Sequence, residues 1–252
     1  MRLVASYKFG EGLESDINKA LLEDINKIPT FQVVKPPSYF HNAERKRLIV
    51  DDEMNLVALV SDQYKLSQPK TIAKQLVMAL PLPVYCYEIW YYNGRIWLKI
   101  LFQQDQTSNA GTYKAGILYE DSVDRSLLLK IIYSPRLSAC GNELIFSKCR
   151  MSSRHVSTLF TNVESFMKHL VEFAKNPAYI NKAYERMTSE KVTLERFNDI
   201  MNKLYLPKKY VEKVRYTSDM SLWDLYMKLT NVLTVSKAPL QYHLRVAKLV
   251  EI

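Results

Sequence analysis

Residues 84–103, VYCYEIWYYNGRIWLKILFQ, decide how the amino-terminal part of the chain folds. Two runs of β-branched and aromatic residues flank Asn93-Gly94, and this dipeptide favours a two-residue type I′ turn because both of its residues tolerate positive φ. We therefore predict a β-hairpin of strands 84–92 and 95–103. A two-residue turn also fixes the register, which pairs Tyr92 with Arg95, Trp90 with Trp97, Glu88 with Lys99 and Ile89 with Leu98.

This register divides the hairpin into two faces, because side chains alternate along a strand. The apolar face is predicted to meet the core and carries Tyr85, Tyr87, Ile89, Tyr91, Ile96, Leu98, Ile100 and Phe102. The opposite face, here called the hairpin face, carries Glu88, Trp90, Tyr92, Arg95, Trp97 and Lys99. Flat rings stack on bases and neighbouring cations neutralise phosphates, so the hairpin face is a candidate surface for single-stranded nucleic acid.

Two other roles for the indoles stay open. Trp90 and Trp97 lie opposite each other in the predicted register, so they could serve only to stabilise the hairpin or to pack under a carboxy-terminal helix. They could also form a contact between subunits, in which case the chain would be a homo-oligomer.

The overall composition is that of a basic globular protein. The chain has 252 residues, 48% of them hydrophobic, and a net charge of +9 from 35 Lys+Arg and 26 Asp+Glu. It has no apolar run long enough to cross a membrane, and Met1–Gly10 lacks the apolar segment of a secretory signal. Three cysteines are too few for a disulfide framework. We therefore expect a cytoplasmic protein without a membrane partner.

The period of the apolar residues changes near residue 155. Before that point we predict helices at 14–27 and 70–80, and strands at 30–34, 47–50, 56–61, 112–119, 127–133 and 137–146, with polar connections at 105–109 and 120–124. After it we predict helices at 159–175, 178–187, 193–204, 208–214, 221–232 and 241–250. The fold class is then α+β: an antiparallel β-meander with amino-terminal helices over 1–155, followed by a helical region over 156–252.

Two further groups of basic residues stand out. One comprises Arg136, Lys148, Arg150, Arg154 and His155, at the change from strands to helices. It could bind phosphate or an acidic partner, or be a solvated loop. The other comprises Lys208, Lys209, Lys213 and Arg215, and its pattern is more typical of a solubilising helix face.

The sequence contains few of the motifs that are typical of enzymes. It has no phosphate-binding glycine loop, no Gly-x-Ser-x-Gly and no histidine pair at metal-binding spacing, so we expect no cofactor. Asp24, Glu44 and Lys46 have the residue types of a metal-dependent nuclease, yet a solvated charged loop explains Glu44 and Lys46 better. A non-enzymatic protein is the leading hypothesis.

The order of several short motifs resembles a known family. Val60-Ser61-Asp62-Gln63-Tyr64 precedes a helix, the aromatic hairpin follows, and then come Arg136-Leu-Ser-Ala-Cys140-Gly141-Asn142 and Arg154-His155. This order resembles the phage- and plasmid-encoded domain of unknown function 932. The resemblance implies a viral or plasmid setting, where recombination modules include single-strand annealing proteins similar to the Rad52 group, which form rings and need no cofactor.

From these observations we expect a protein that binds single-stranded nucleic acid, with DNA favoured over RNA, for annealing or recombination. The expected contact residues are Trp90, Tyr92, Arg95, Trp97, Lys99, Arg136, Lys148, Arg150 and Arg154. Two alternatives remain: a protein-interaction or assembly protein of a mobile element, and the nuclease.

Overall fold

A computed structural model describes residues 2–8, 17–39, 43–80, 82–124, 126–138, 141–145, 150–153 and 159–250. Helices and antiparallel sheets both contribute, with a meander before a helical carboxy-terminal region. The predicted α+β class is therefore confirmed. No helix among the described residues is long and apolar enough to cross a membrane.

The larger sheet of the described chain has the strand order β1-β5-β6-β7-β8-β10, with β9 paired to β7. Its strands are β1 (Arg2–Lys8), β5 (Val84–Tyr92), β6 (Arg95–Ser108), β7 (Gly111–Ser122), β8 (Leu129–Tyr133), β9 (Arg136–Leu137) and β10 (Arg150–Ser153). Strands β5 to β8 are neighbours in both sequence and space, which is the predicted meander. Strand β1 had no counterpart in the sequence prediction and pairs antiparallel with β5.

A smaller sheet consists of β2 (Gln32–Val34), β3 (Lys46–Val50) and β4 (Leu56–Ser61) in that order. Both of its pairings are antiparallel. The predicted strands at 30–34, 47–50 and 56–61 correspond to these three. A 3₁₀ turn at Ala43–Arg45 leads into β3.

The helices follow the predicted order closely. They are α1 (Ile17–Asn26), α2 (Pro69–Met78), α3 (Leu159–Lys175), α4 (Ala178–Ser189), α5 (Leu194–Lys203), α6 (Lys208–Val211), α7 (Leu222–Val235) and α8 (Leu240–Val246), with a 3₁₀ turn at Ala247–Val250. Local start signals explain several boundaries: Thr193 caps α5, and Ser221 with Asp224 forms a capping box on α7.

Contacts within the chain divide it into two compact units. The first unit comprises residues 1–104, 117–131 and 150–171, and the second comprises 105–116, 132–149 and 172–252. Strands β6, β7 and β8 and helix α3 contribute residues to both units. The predicted boundary between residues 155 and 156 lies outside the described residues.

Three local predictions are wrong. Among the described residues of the strand predicted at 137–146, only Leu137 is in a strand, β9, because Gly141 turns back at φ +68° and its N–H donates to the carbonyl of Leu137. The buried Leu144 and Ile145 that suggested a strand follow this turn. The connections predicted at 105–109 and 120–124 are mostly strand, because β6 continues to Ser108 and β7 to Ser122.

A hydrophobic cluster of the first unit lies at the tip of the hairpin. Its buried members are Phe31, Ile49, Val60 and Val123, with Tyr64 and Tyr91 among the half-buried side chains packed against it. The backbone confirms the type I′ prediction, since Asn93 has φ 44° and Gly94 has φ 77°. The N–H of Val123 donates to the carbonyl of Gly94 across 2.9 Å. The hairpin tip is thus fixed within this unit.

Candidate nucleic-acid interface

The register of the hairpin is the predicted one. Strands β5 and β6 pair Tyr92 with Arg95, Trp90 with Trp97, Glu88 with Lys99 and Ile89 with Leu98. A register shift between Val84 and Cys86 places Leu101 opposite Cys86. Of the side chains predicted to face the core, Tyr85 and Tyr91 are only half-buried, and the other six are buried.

The rings of the hairpin face differ in exposure. Tyr92, next to the turn, is 57% exposed, whereas Trp90 and Trp97 are half-buried. Residues two apart on one face of a strand are separated by roughly 6.5–7 Å, because each residue advances about 3.3 Å. The cross-strand indole pair and the Tyr92–Arg95 pair therefore form two neighbouring rungs on the same face.

Glu120 on β7 anchors this face from the adjacent strand. Its Oε1 accepts the indole N–H of Trp97 at 2.9 Å, and its Oε2 accepts from Nζ of Lys130 on β8 at 2.6 Å. The carboxylate is only 5% exposed, so these two donors offset much of the cost of burying its charge. The position of the Trp97 ring is fixed as a result.

The cations of the hairpin face lie beside carboxylates. Arg95 forms an ion pair with Asp124 at 3.4 Å, and Lys99 lies opposite Glu88 in the ladder. Burial acts to raise the pKa of Asp124, but hydrogen bonds from Ser126 and the charge of Arg95 outweigh it and hold that pKa below its ordinary value. Arg95 and Lys99 of the hairpin face, together with the adjacent Lys130 of β8, are thus matched in number by Glu88, Glu120 and Asp124. Counted over these described side chains, the hairpin face and its neighbours on β7 and β8 are rich in rings and close to neutral.

The remaining predicted contact residues lie elsewhere or outside the described residues. Arg136 is an exposed residue of the second unit, and its Nε donates to the carbonyl of Gly141 at 3.1 Å. Arg150 is exposed on β10, in the first unit. Lys148, Arg154 and the neighbouring His155 fall outside the described residues.

The residues of the nuclease alternative have other contacts. Both oxygens of Asp24 are engaged, Oδ1 by Nζ of Lys27 at 2.5 Å and Oδ2 by the hydroxyl of Tyr87 at 2.6 Å. Glu44 and Lys46 are exposed at the start of β3. Within the part of the chain that the structure describes, no three His, Cys, Asp or Glu side chains are arranged to hold a metal ion.

Sequence reasoning missed Glu120 because it assigned 120–124 to a connection, whereas β7 continues to Ser122. Lys130 lay in the predicted strand 127–133, but its contact with Glu120 joins two different strands. The signal was present, since an acidic residue in a run of alternating apolar positions can face a neighbouring strand. Which strand it meets depends on the sheet order, which local patterns do not give.

Comparisons with known proteins add no relative: no family model, no curated protein and no solved structure matches the chain.

Proposed function

We propose that the protein binds single-stranded nucleic acid, with bases stacked on the rings of the hairpin face. The observation that supports this most is the pair of neighbouring rungs, Trp90 with Trp97 and Tyr92 with Arg95. Base stacking on an aromatic ring contributes about 1–3 kcal/mol and tolerates any sequence. A surface of this kind suits a strand with unpaired bases, since paired bases in a duplex do not present their flat faces.

The matched charges of the hairpin face refine the proposal. Phosphate contacts make affinity fall with added salt, and cations already paired with carboxylates contribute less to this effect. Binding at the hairpin face is therefore dominated by stacking. The resemblance to the phage and plasmid family supports a viral or plasmid setting, in which we propose annealing or recombination as the role and DNA over RNA as the ligand.

Fluorescence anisotropy of labelled oligothymidine tests the proposal. Removing one indole, in Trp90→Ala or Trp97→Ala, should weaken binding by about 5- to 150-fold, which corresponds to the stacking contribution of one ring. Tyr39→Ala is a matched control, because Tyr39 is 79% exposed in the same unit but lies off the hairpin face. Circular dichroism must show that each variant is folded.

Binding that is absent at low salt, or equal in folded indole variants and the wild type, would overturn the proposal. Competition by oligouridine of the same length measures the preference for DNA. Annealing of two complementary oligonucleotides, with no nucleotide cofactor added, measures the proposed activity.

The rings of the hairpin face also favour a second candidate function, assembly with another protein or with a second copy of this chain. Interface cores are enriched in aromatic residues and in arginine. Light scattering distinguishes the two functions. Assembly would be supported by two results together. The wild type forms an oligomer that dissociates in Trp90→Ala, and it does not bind oligothymidine.

A further inference from the structure

A second surface that combines rings and cations lies in the helical part of the second unit. It is formed by the end of α5, the loop after it, α6, α8 and the 3₁₀ turn after α8, and we call it the α5–α8 surface. Its residues are Lys203, Tyr205, Lys209, Tyr210, Tyr242, Arg245 and Lys248. All belong to one unit, so their arrangement depends on that unit alone.

A chain of contacts connects five of these residues. The guanidinium of Arg245 donates to the carbonyl of Tyr205 and lies 5.3 Å from the ring centre of Tyr242. The rings of Tyr242 and Tyr210 are 5.6 Å apart, and Nζ of Lys209 lies 5.0 Å from the centre of the Tyr210 ring. Cation–π contacts of this kind leave the charge available to a further ligand.

The most exposed ring of this surface is that of Tyr205. It is 78% exposed and follows α5 at φ 47°, a conformation that is uncommon for a residue with a side chain. The hydrogen bond from Arg245 to its carbonyl holds this backbone in place. A large ring kept in solvent by a fixed backbone is a stacking platform beside a cation.

The charges of the α5–α8 surface are less balanced than those of the hairpin face. Lys203 is paired with Asp199 at 2.8 Å. In the described part of the chain, no carboxylate lies within ion-pairing distance of Lys209, Arg245 or Lys248. Three cations of one unit that have no carboxylate partner among the described residues contribute a positive potential that attracts phosphates.

An open pocket includes one of these cations, Lys248. Its volume is about 310 Å³, and it is lined by Arg196, Asp199, Lys203 and Lys248 with Leu204 and Leu222. Arg196 already pairs with Glu190, and Lys203 with Asp199. The pocket lining therefore combines apolar side chains with Lys248.

We propose that the α5–α8 surface is a second contact site for single-stranded nucleic acid. Lys209, Arg245 and Lys248 bind phosphates, and the Tyr205 ring stacks on a base. The inference rests on the proposed function for its ligand class, but its residues and its charge are independent of the hairpin face. An acidic peptide would be attracted by the same cations, yet it carries no nucleobase that could stack on the exposed ring of Tyr205.

The experiment measures binding of labelled oligothymidine over a range of salt concentrations. Each phosphate bound on a single strand contributes about 0.7 to the slope of log K against log salt, so the triple variant Lys209→Gln, Arg245→Gln, Lys248→Gln should lower that slope by about 2. Tyr205→Ala should weaken binding at least about fivefold, and Tyr205→Phe should restore it, because the ring does the stacking. Lys182→Gln, at an exposed lysine on α4, is the matched control.

The outcomes separate this inference from the proposed function. If folded triple and Tyr205→Ala variants bind like the wild type while Trp90→Ala and Trp97→Ala do not, the inference is overturned and the hairpin face stands. If the indole variants bind normally and the triple variant does not, the hairpin proposal fails and the α5–α8 surface stands. Poly-glutamate and unlabelled oligothymidine are compared as competitors of the labelled strand at equal concentration of negative charge. If poly-glutamate competes as strongly, nucleic acid is overturned as the ligand of the α5–α8 surface.

Discussion

Trp97 donates its indole N–H to Oε1 of Glu120 across 2.9 Å, which joins the hairpin face to the neighbouring strand β7. The other oxygen of this carboxylate holds Lys130. Glu120 therefore fixes the orientation of a ring and neutralises a cation at the same time. Its two effects on a ligand are opposite, since a fixed ring favours stacking and a neutralised cation weakens phosphate binding.

Removing the charge of Glu120 should strengthen nucleic-acid binding. In Glu120→Gln the amide oxygen still accepts from Trp97, while Lys130 loses its ionic partner and is released for a phosphate. We expect a roughly two- to fivefold gain in affinity, the size of one exposed charge interaction, together with a steeper salt dependence. An anisotropy titration in which Glu120→Gln binds more weakly than the wild type would contradict this role.

Removing the Trp97 N–H should destabilise the fold. Trp97→Phe keeps a ring but takes a donor from a buried carboxylate, which should cost about 1–3 kcal/mol in free energy of unfolding. Trp90→Phe is the matched control, because the Trp90 N–H meets Glu88 at a long 3.4 Å, and its loss should cost clearly less. Urea denaturation measures both, and equal costs would argue against Glu120 as the anchor.

Gly94 should tolerate no side chain. A Cβ at this position would lie 2.5 Å from Cγ2 of Val123 and 2.6 Å from Cγ1 of Val57, and φ is +77°. Gly94→Ala should therefore cost roughly 1–2 kcal/mol for the backbone and a further 1–3 kcal/mol for overpacking.

Gly111→Ala is the control for that substitution. Gly111 also has positive φ, but a Cβ there meets nothing within 4 Å, so only the backbone cost applies. Thermal or urea unfolding that gives the same loss for both variants would show that the contacts of the hairpin tip with Val57 and Val123 are looser than described.

Stability should fall at alkaline pH. Burial raises the pKa of Tyr119 and of Tyr226 above the ordinary value near 10, and the neighbouring Asp121 raises that of Tyr119 further. Above about pH 10 the unfolded chain loses these protons and the folded chain keeps them, so the free energy of unfolding decreases by up to about 1.4 kcal/mol per pH unit for each group. The contribution is complete below pH 10 and is lost as pH rises.

Tyr226→Phe separates the two tyrosines. Above pH 10 this variant should reduce the slope of the free energy of unfolding against pH by the contribution of one proton. Near neutral pH it should cost about 1–3 kcal/mol in free energy of unfolding, because the buried N–H and carbonyl of Ile145 lose the Tyr226 hydroxyl. Urea denaturation over this pH range measures both effects. An alkaline decline that is unchanged in Tyr226→Phe would exclude this tyrosine as a cause.

The parts of the fold that were predictable are those set by neighbouring residues. Asn93-Gly94 fixes the turn and therefore the pairing of Trp90 with Trp97, and Thr193 marks the start of α5. The polar end of β6, QDQTS over 104–108, was missed because these residues do not have the apolar alternation of a strand. They are in a strand because they pair with β7, which their own sequence does not show. The strand predicted at 137–146 failed because the turn at Gly141 overrides the apolar pattern around it.

The candidate sites show the same division. The rings and cations of the hairpin face follow from one local register, so the sequence was sufficient to place them. The carboxylate of Glu120 reaches Trp97 from a different strand, and Arg245 reaches Tyr205 from 40 residues further along the chain. Charge balance depends on such distant neighbours, which is why the hairpin sequence alone did not reveal the carboxylates of Glu120 and Asp124 beside its cations.

Tryptophan fluorescence tests the central claim most directly. In Trp223→Phe, the indoles of Trp90 and Trp97 are those that remain of the three in the chain. If bases stack on them, oligothymidine should quench this emission, and quenching should saturate at the same concentration as the anisotropy of the labelled strand. An anisotropy signal that saturates while the emission of both indoles stays unchanged would contradict stacking on the hairpin face.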